Sequence, residues 1–368
     1  MAVEANVAVV GAGAGGQVIA SRLAQVAEVA LLCPPGRPNS DDRRDAINGD
    51  GIRVGGAEER HVPAGQVHAT TDPAELGTPS LAVLVTPSIG TGPLTRLIAP
   101  QLTSDTVVLV VPGRTGGALE AARVLRDAGR EVLAVAETSS LPFTGRMHGP
   151  NEPFVAGVKT SVSLASIPGE RVGEVIERCR DVAPFVPADT VVETSLMNAG
   201  VAMHVAGALM NAPAIENGTL DVYYRDGVTP SVGRLMEAAD RERIRIAASY
   251  GYRLPTATEY LREAYGVQAD NLYDAIHGNP AYGEIGGLDG LHHRYLSDDL
   301  PASAVPMAAL ARVAGIETPV IDALIVLGDH ITDASHATDG RTVERMGVGG
   351  LDAESLLTAL RTGELYGH

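Results

Sequence analysis

Short runs of apolar, mostly β-branched residues recur through the first half of the chain, separated by segments of helical spacing. Val7–Val10, Val29–Cys33, Leu81–Val85, Thr106–Val111 and Val132–Ala136 read as buried strands. Val18, Ile19 and Leu23 share one helical face after the first run, and helical patterns cover Thr91–Ala99 and Gly117–Ala128. Strand and helix in alternation predict a doubly wound parallel sheet. Thr138–Arg146 reads as a loop, and Lys159–Ala165 alternates like a further strand. Gly169–Val182 has helical spacing, and Pro184–Val192 reads as an extended link.

From about residue 191 the alternation gives way to helices alone. Thr229-Pro230 and Thr318-Pro319 each place a capping hydroxyl before a proline at the first helical position. Thr256 with Glu259 forms a capping box, Asp352 caps the last amphipathic segment, and Gly251, Gly266 and Gly315 mark helix ends. Ser195–Asn211 is almost wholly apolar and is expected to be one buried helix, interrupted only by Asn198, His204 and Asn211. The charges between Arg234 and Arg245 read as a solvated, ion-paired face of a helix over Ser231–Tyr250. Asp221–Pro230 and Gly283–Pro301 read as loops. The second is unusually long and carries His292, His293, Arg294, Asp298 and Asp299, which points to function.

Gly11, Gly13 and Gly16 fit G-x-G-x-x-G between the first strand and the first helix, the context in which that motif binds a dinucleotide. Gly11 permits the turn, Gly13 lets a pyrophosphate approach the backbone, and Gly16 lets helix and strand pack closely. The helix N-terminus then faces the phosphates. The predicted fold class is therefore an α/β Rossmann domain, residues 1–190, followed by an all-α second domain, residues 191–368. An acid at the end of the second strand would bind the ribose 2′-hydroxyl of NAD. That end carries Cys33 and Pro34 instead, with Arg37, Ser40, Arg43 and Arg44 close behind. NADP(H) is thus expected in preference to NAD(H), with Arg37 the leading partner of the 2′-phosphate and Ser40 and Arg43 beside it. Ligands of such sheets bind beyond the carboxyl ends of the strands, which places Thr86, Pro112, Gly113, Glu137 and Thr138 near the nicotinamide.

Composition narrows the chemistry further. With 45 % hydrophobic and 20 % charged residues among 368, a sizeable core in two domains is expected. A net charge of −17 disfavours nucleic acid and anionic membranes as partners. No apolar run is long enough to cross a bilayer, and no room precedes the first strand for a signal peptide. Cys33 and Cys179 fit neither a metal nor a redox spacing, so a cytoplasmic protein without a metal site is expected. Lys159 is the only lysine, so any mechanism that needs a catalytic lysine must use it.

Several segments together resemble the opine dehydrogenases, the octopine/nopaline dehydrogenase family, over nearly the whole chain. They include VVGAGAGG, PGRTGGALE, AETSSLPFTGR, NAGVAMHVAGALMNA, YYRDGVTPSVGRLMEAADRER, RYLSDDLP, GIETPVIDALI and GRTVERMGVGG. That family joins the amine of an amino acid to a 2-oxo acid and reduces the resulting imine with NAD(P)H. The resemblance therefore implies small-molecule amine and 2-oxo acid partners, and a homodimer. By position, His204 matches the family's catalytic histidine and Asp299 the aspartate that partners it. Arg294, in the same motif as Asp299, is implied as a carboxylate clamp, and Asn198 and Thr138 are also assigned to the substrate. Two rivals stay open at this point. One is a keto or imine reductase of the 3-hydroxyacyl-CoA type, active without an amine. The other is a nucleotide-sensing protein that keeps the glycine motif but needs no histidine–carboxylate pair. Reductases of the ketopantoate type use a lysine from the helical domain, where this chain has none.

Overall fold

The computed structural model describes residues 6–283 and 285–366. Its strands are β1 (Asn6–Val10), β2 (Glu28–Leu32), β3 (Ile52–Gly56), β4 (Arg60–Val62), β5 (Val67–Thr70) and β6 (Leu81–Leu84). They continue with β7 (Val107–Val110), β8 (Ala134–Thr138), β9 (Phe143–Gly149), β10 (Glu152–Val158), β11 (Val162–Ile167) and β12 (Phe185–Pro187). Eight strands form one sheet in the order β12-β11-β8-β7-β6-β1-β2-β5. All its pairings are parallel except that of β11 with β8. The central strands β1, β6 and β7 are covered on both faces, which is why they read as continuous apolar runs rather than alternating ones. The strand order reverses between β1 and β6, which is the switch point at which such sheets bind ligands.

A second sheet, β4-β3-β10-β9, was not expected from the patterning. Its strand Phe143–Gly149 lies in the segment read as a loop, because it exposes Thr144, Gly145, Arg146 and His148 and carries no apolar run.

The chain divides into two compact units, residues 6–195 with 358–366 and residues 196–357. The last helix, Ala353–Thr362, therefore ends in the first unit rather than in the helical one. Leu360 is fully buried, Arg361 pairs with Asp189, and Arg126 donates to the Leu365 carbonyl oxygen. An amphipathic helix shows which face is apolar but not which neighbour covers it.

In the second unit, the expected single helix over Ser195–Asn211 is broken. A helix over Val191–Leu196 ends, Met197–Ala199 are irregular, and Val201–Ala206 form a π-helical turn leading into Gly207–Met210. The long loop is likewise shorter than expected. Arg294–Ser297 form one helical turn and Leu300–Ala304 a second π-helical stretch. The preceding residues are pinned to the Asp221–Tyr223 segment by a Val222–Gly286 bridge and by the Tyr223 N–H donating to the Ile285 carbonyl.

The helix Pro230–Ser249 corrects the reading of a uniformly solvated face. Asp240, Glu242 and Arg243 are buried. Arg243 pairs with Asp240 at 2.7 Å and donates to the Leu196 and Pro255 carbonyls, while Asp240 accepts the Ala257 N–H. Glu242 accepts the Val320 and Ile321 N–H groups at the start of helix Pro319–Thr332. It does there what the Thr318 hydroxyl was expected to do. Thr229 caps its helix, and Thr256 with Glu259 forms the capping box. No described helix is long and apolar enough to cross a membrane.

Candidate active site

In the first unit, Gly11 follows β1 with φ +113°, and a Cβ there would overlap the Val85 carbonyl oxygen. Gly13 precedes helix Ala14–Leu23 with no side chain bonded to the first N–H groups, and a Cβ on it would meet nothing within 4 Å. A Cβ on Gly16 would overlap the Gly11 carbonyl oxygen, so helix and turn pack backbone against backbone. Turn, open approach and close packing thus fall on the three glycines in the expected order, and the helix start presents backbone donors of the kind that fit a pyrophosphate. Gln17, fully buried, braces this turn by donating to the Ala12 and Pro150 carbonyl oxygens.

β2 ends at Leu32, followed by buried Cys33, whose thiol is pushed up to about 11 by burial. Ser40 is buried and its hydroxyl donates to the Pro34 carbonyl, which shapes the loop rather than facing outward. Arg44 is taken by Asp41 and Asp45. Arg37 is exposed and Arg43 half-buried, and neither guanidinium has a hydrogen-bond or ion-pair partner among the described residues.

At the end of β8 both Glu137 and Thr138 are wholly buried. Glu137 accepts the Ala118 N–H and the hydroxyls of Thr194 and Ser195 at 2.7–2.9 Å. The Thr138 hydroxyl donates to the Ser140 carbonyl. Gly113 leaves no room for a Cβ beside Glu137. Thr86 and Pro112, beyond β6 and β7, are half-buried. Lys159 is exposed and its ammonium donates to the Ser140 hydroxyl at 2.7 Å.

In the second unit, the π-helical turn carries His204 and a second one starts directly after Asp299. His204 Nδ1 lies 2.7 Å from Asp299 Oδ2, with the imidazole 17 % and the carboxylate 1 % exposed. That bond leaves Nε2 as the ring nitrogen without a partner among the described residues. Tyr295 stacks on the imidazole, with ring centroids 3.9 Å apart and planes within 3°. Tyr223 stands edge-on to Tyr295 and donates its hydroxyl to the His204 carbonyl oxygen at 2.8 Å. Burial holds the Tyr223 phenol far above its ordinary range, so it stays a donor.

Arg294 is exposed, its guanidinium 5.6 Å from the Tyr295 ring centre, with no carboxylate partner among the described residues. His293 caps this helical turn, and burial, reinforced by Arg294, holds its imidazole below the ordinary range. Asn198 does not point outward as a free amide. It is buried, its Oδ1 accepting from the Gly200 N–H and its Nδ2 donating to Ser303. Sequence reasoning missed Tyr295 and Ser303, although both stand within four residues of Asp299.

Residues 187–332 match the family model of the NAD/NADP octopine/nopaline dehydrogenase alpha-helical domain, and residues 7–139 match that of ketopantoate reductase PanE/ApbA. An opine dehydrogenase of Arthrobacter sp. (strain 1C) is 33 % identical over 356 residues, which is 96 % of this chain and 98 % of that one. This chain belongs to the opine dehydrogenase family. It is an NAD(P)-dependent oxidoreductase acting on CH–NH bonds. The fold of this opine dehydrogenase is similar to that of octopine dehydrogenase solved with NADH and L-arginine. The TM-score is 0.79 at 19 % identity, over 98 % of both chains. It is also similar to yersinopine dehydrogenase solved with NADP+, with a TM-score of 0.72 at 14 % identity over 100 % of this chain and 99 % of that one.

Proposed function

We propose that this opine dehydrogenase joins the amino group of an amino acid or related amine to a 2-oxo acid, with His204 as the proton-transfer group. The observation that carries the assignment is the 2.7 Å bond from His204 Nδ1 to the buried Asp299 carboxylate, which leaves Nε2 unpartnered. A carboxylate on one ring nitrogen sets the tautomer and stabilises the imidazolium that forms when the other takes a proton. Nε2 accepts the proton that the amine loses as it attacks the oxo carbon. The same nitrogen returns it to the carbonyl oxygen to give a carbinolamine, and a second proton, drawn from solvent, lets that hydroxyl leave as water as the protonated imine forms. Arg294 offers a two-pronged guanidinium to a substrate carboxylate, because no carboxylate among the described residues competes for it. Asn198, with its amide engaged inside the second unit, supports the histidine–carboxylate pair rather than touching substrate, and Thr138, bonded to the Ser140 carbonyl, shapes the end of β8 in the first.

The reduced nicotinamide, when bound, supplies the hydride that turns the protonated imine into a secondary amine. Gly11, Gly13 and Gly16 fit its pyrophosphate, and NADP(H) is preferred because β2 ends without an acid and the guanidinium groups of Arg37 and Arg43 beside it have no partner among the described residues. Thr86, Pro112 and Gly113 border the nicotinamide and Ser40 supports the 2′-phosphate loop, whereas Glu137 holds the strand end in shape. Two buried free cysteines accord with a cytoplasmic protein, which we read as a homodimer.

Following NADPH oxidation with amine and oxo acid present together and each omitted in turn tests the reaction. Turnover with the oxo acid alone would favour a simple keto reductase. His204→Ala is expected to keep NADPH binding, measured by fluorescence titration, while kcat falls roughly 10²–10⁴-fold. Near-normal turnover would remove His204 from the mechanism.

A further inference from the structure

Behind the histidine–carboxylate pair lies a chain of hydrogen bonds whose direction is set at its far end. The Gly200 N–H can only donate, and it donates to Asn198 Oδ1 at 3.0 Å. That turns the Asn198 amide so that Nδ2 donates to Ser303 Oγ at 2.7 Å. Ser303, with that lone pair occupied, gives its hydroxyl proton to Asp299 Oδ1 at 2.8 Å. Asp299 then has Oδ2 for His204 Nδ1. Every side chain in this series is buried apart from the imidazole itself. Gly200 is helical, with φ −56°, so glycine is not needed there for the backbone; a Cβ would overlap Asp299 Oδ1 and lie 3.1 Å from Asn198 Oδ1.

We infer that Ser303 and Asn198 are positioning residues that act through Asp299, aiming its carboxylate so that the His204 proton stays on Nδ1 and Nε2 stays an acceptor. The inference rests on the reading of His204 and Asp299 given above and adds two residues that touch neither substrate nor cofactor. Without the Ser303 hydroxyl, Asp299 Oδ1 loses a donor in a buried site and the carboxylate is aimed less firmly at His204. Asn198→Asp does the same by reversing polarity. The new carboxylate still accepts from the Gly200 N–H, but it can only accept from Ser303, which then has no proton for Asp299.

The test is a double-mutant cycle on the full-length protein, read as kcat and as KM for both substrates and for NADPH. Ser303→Ala and Asn198→Asp are each expected to lower kcat roughly 10–100-fold with KM values little changed. The double variant is expected to be no worse than either single one, because both cut the same series. Unchanged NADPH affinity and a cooperative melting curve mark the variants as folded. Wild-type kcat in both singles, or losses that multiply in the double, would overturn the inference. If His204→Ala is inactive while Ser303→Ala turns over normally, only this inference fails. If His204→Ala turns over normally, the reading beneath it fails as well.

Discussion

At the scale of single residues, what separates one candidate from another is whether the protein has already satisfied it. Glu137 and Arg37 were placed at the cofactor by the same logic, their position beyond strand ends. Glu137 is met by at least three protein donors, whereas the Arg37 guanidinium is met by no partner among the described residues. A satisfied buried carboxylate is a structural clasp, and an unpaired guanidinium is available to a phosphate. Arg37→Ala is therefore expected to raise KM for NADPH about tenfold, the worth of one charge-assisted bond, while leaving KM for NADH nearly unchanged. Equal effects on the two coenzymes would detach Arg37 from the 2′-phosphate. His204 and Asp299 were legible because they stand in recognisable segments, and the structure puts their side chains in contact. Tyr295 and Ser303 were not, since an aromatic and a small hydroxyl beside apolar neighbours look like ordinary core. Asn198 was noticed as a polar residue in an apolar run, but its direction inside the site is a tertiary fact.

At the scale of elements, the parallel sheet could be read because its central strands are buried on both faces and bounded by glycine and proline. The second sheet could not, because its longer strands are half-exposed and interrupted by glycines. The two π-helical turns were also hidden. Six residues are too few to distinguish a period slightly above four from one of 3.6, and such turns gather at functional sites for reasons of geometry rather than composition. The helix Pro230–Ser249 gives the clearest case of context overruling pattern. Asp240 and Arg243, three residues apart, look like a surface pair, yet both are almost completely covered and tie three segments together. Arg243→Ala strands a buried carboxylate and leaves two carbonyls without a donor. It is expected to cost about 3–5 kcal/mol of stability in urea unfolding, far more than the fraction of a kcal/mol an exposed pair is worth. A loss below 1 kcal/mol would restore the solvated reading.

At the scale of the whole molecule, the units are not consecutive stretches of chain. The cofactor unit is completed by residues 358–366, which the sequence assigned to the helical part because their pattern is helical. Ending the chain after Leu357 would remove buried Leu360, the Arg361–Asp189 pair and the Arg126–Leu365 bond together. The burial of Leu360 alone is worth about 2 kcal/mol, so the truncated protein should melt several degrees lower, with NADPH binding weakened in parallel. An unaltered melting curve would show that the returning segment is dispensable.

The position of Lys159 has one last chemical consequence. An enzyme that condenses an amine with a keto acid must stop the carbonyl from reacting with amines of its own. Here the single ε-amino group of the chain lies in the cofactor unit, tied to the Ser140 hydroxyl, and residues 196–357 contain none. The unit that carries His204 and Arg294 thus offers the keto acid no rival nucleophile of that kind. No Schiff base with a lysine can therefore form within residues 196–357 and be reduced into permanent self-alkylation.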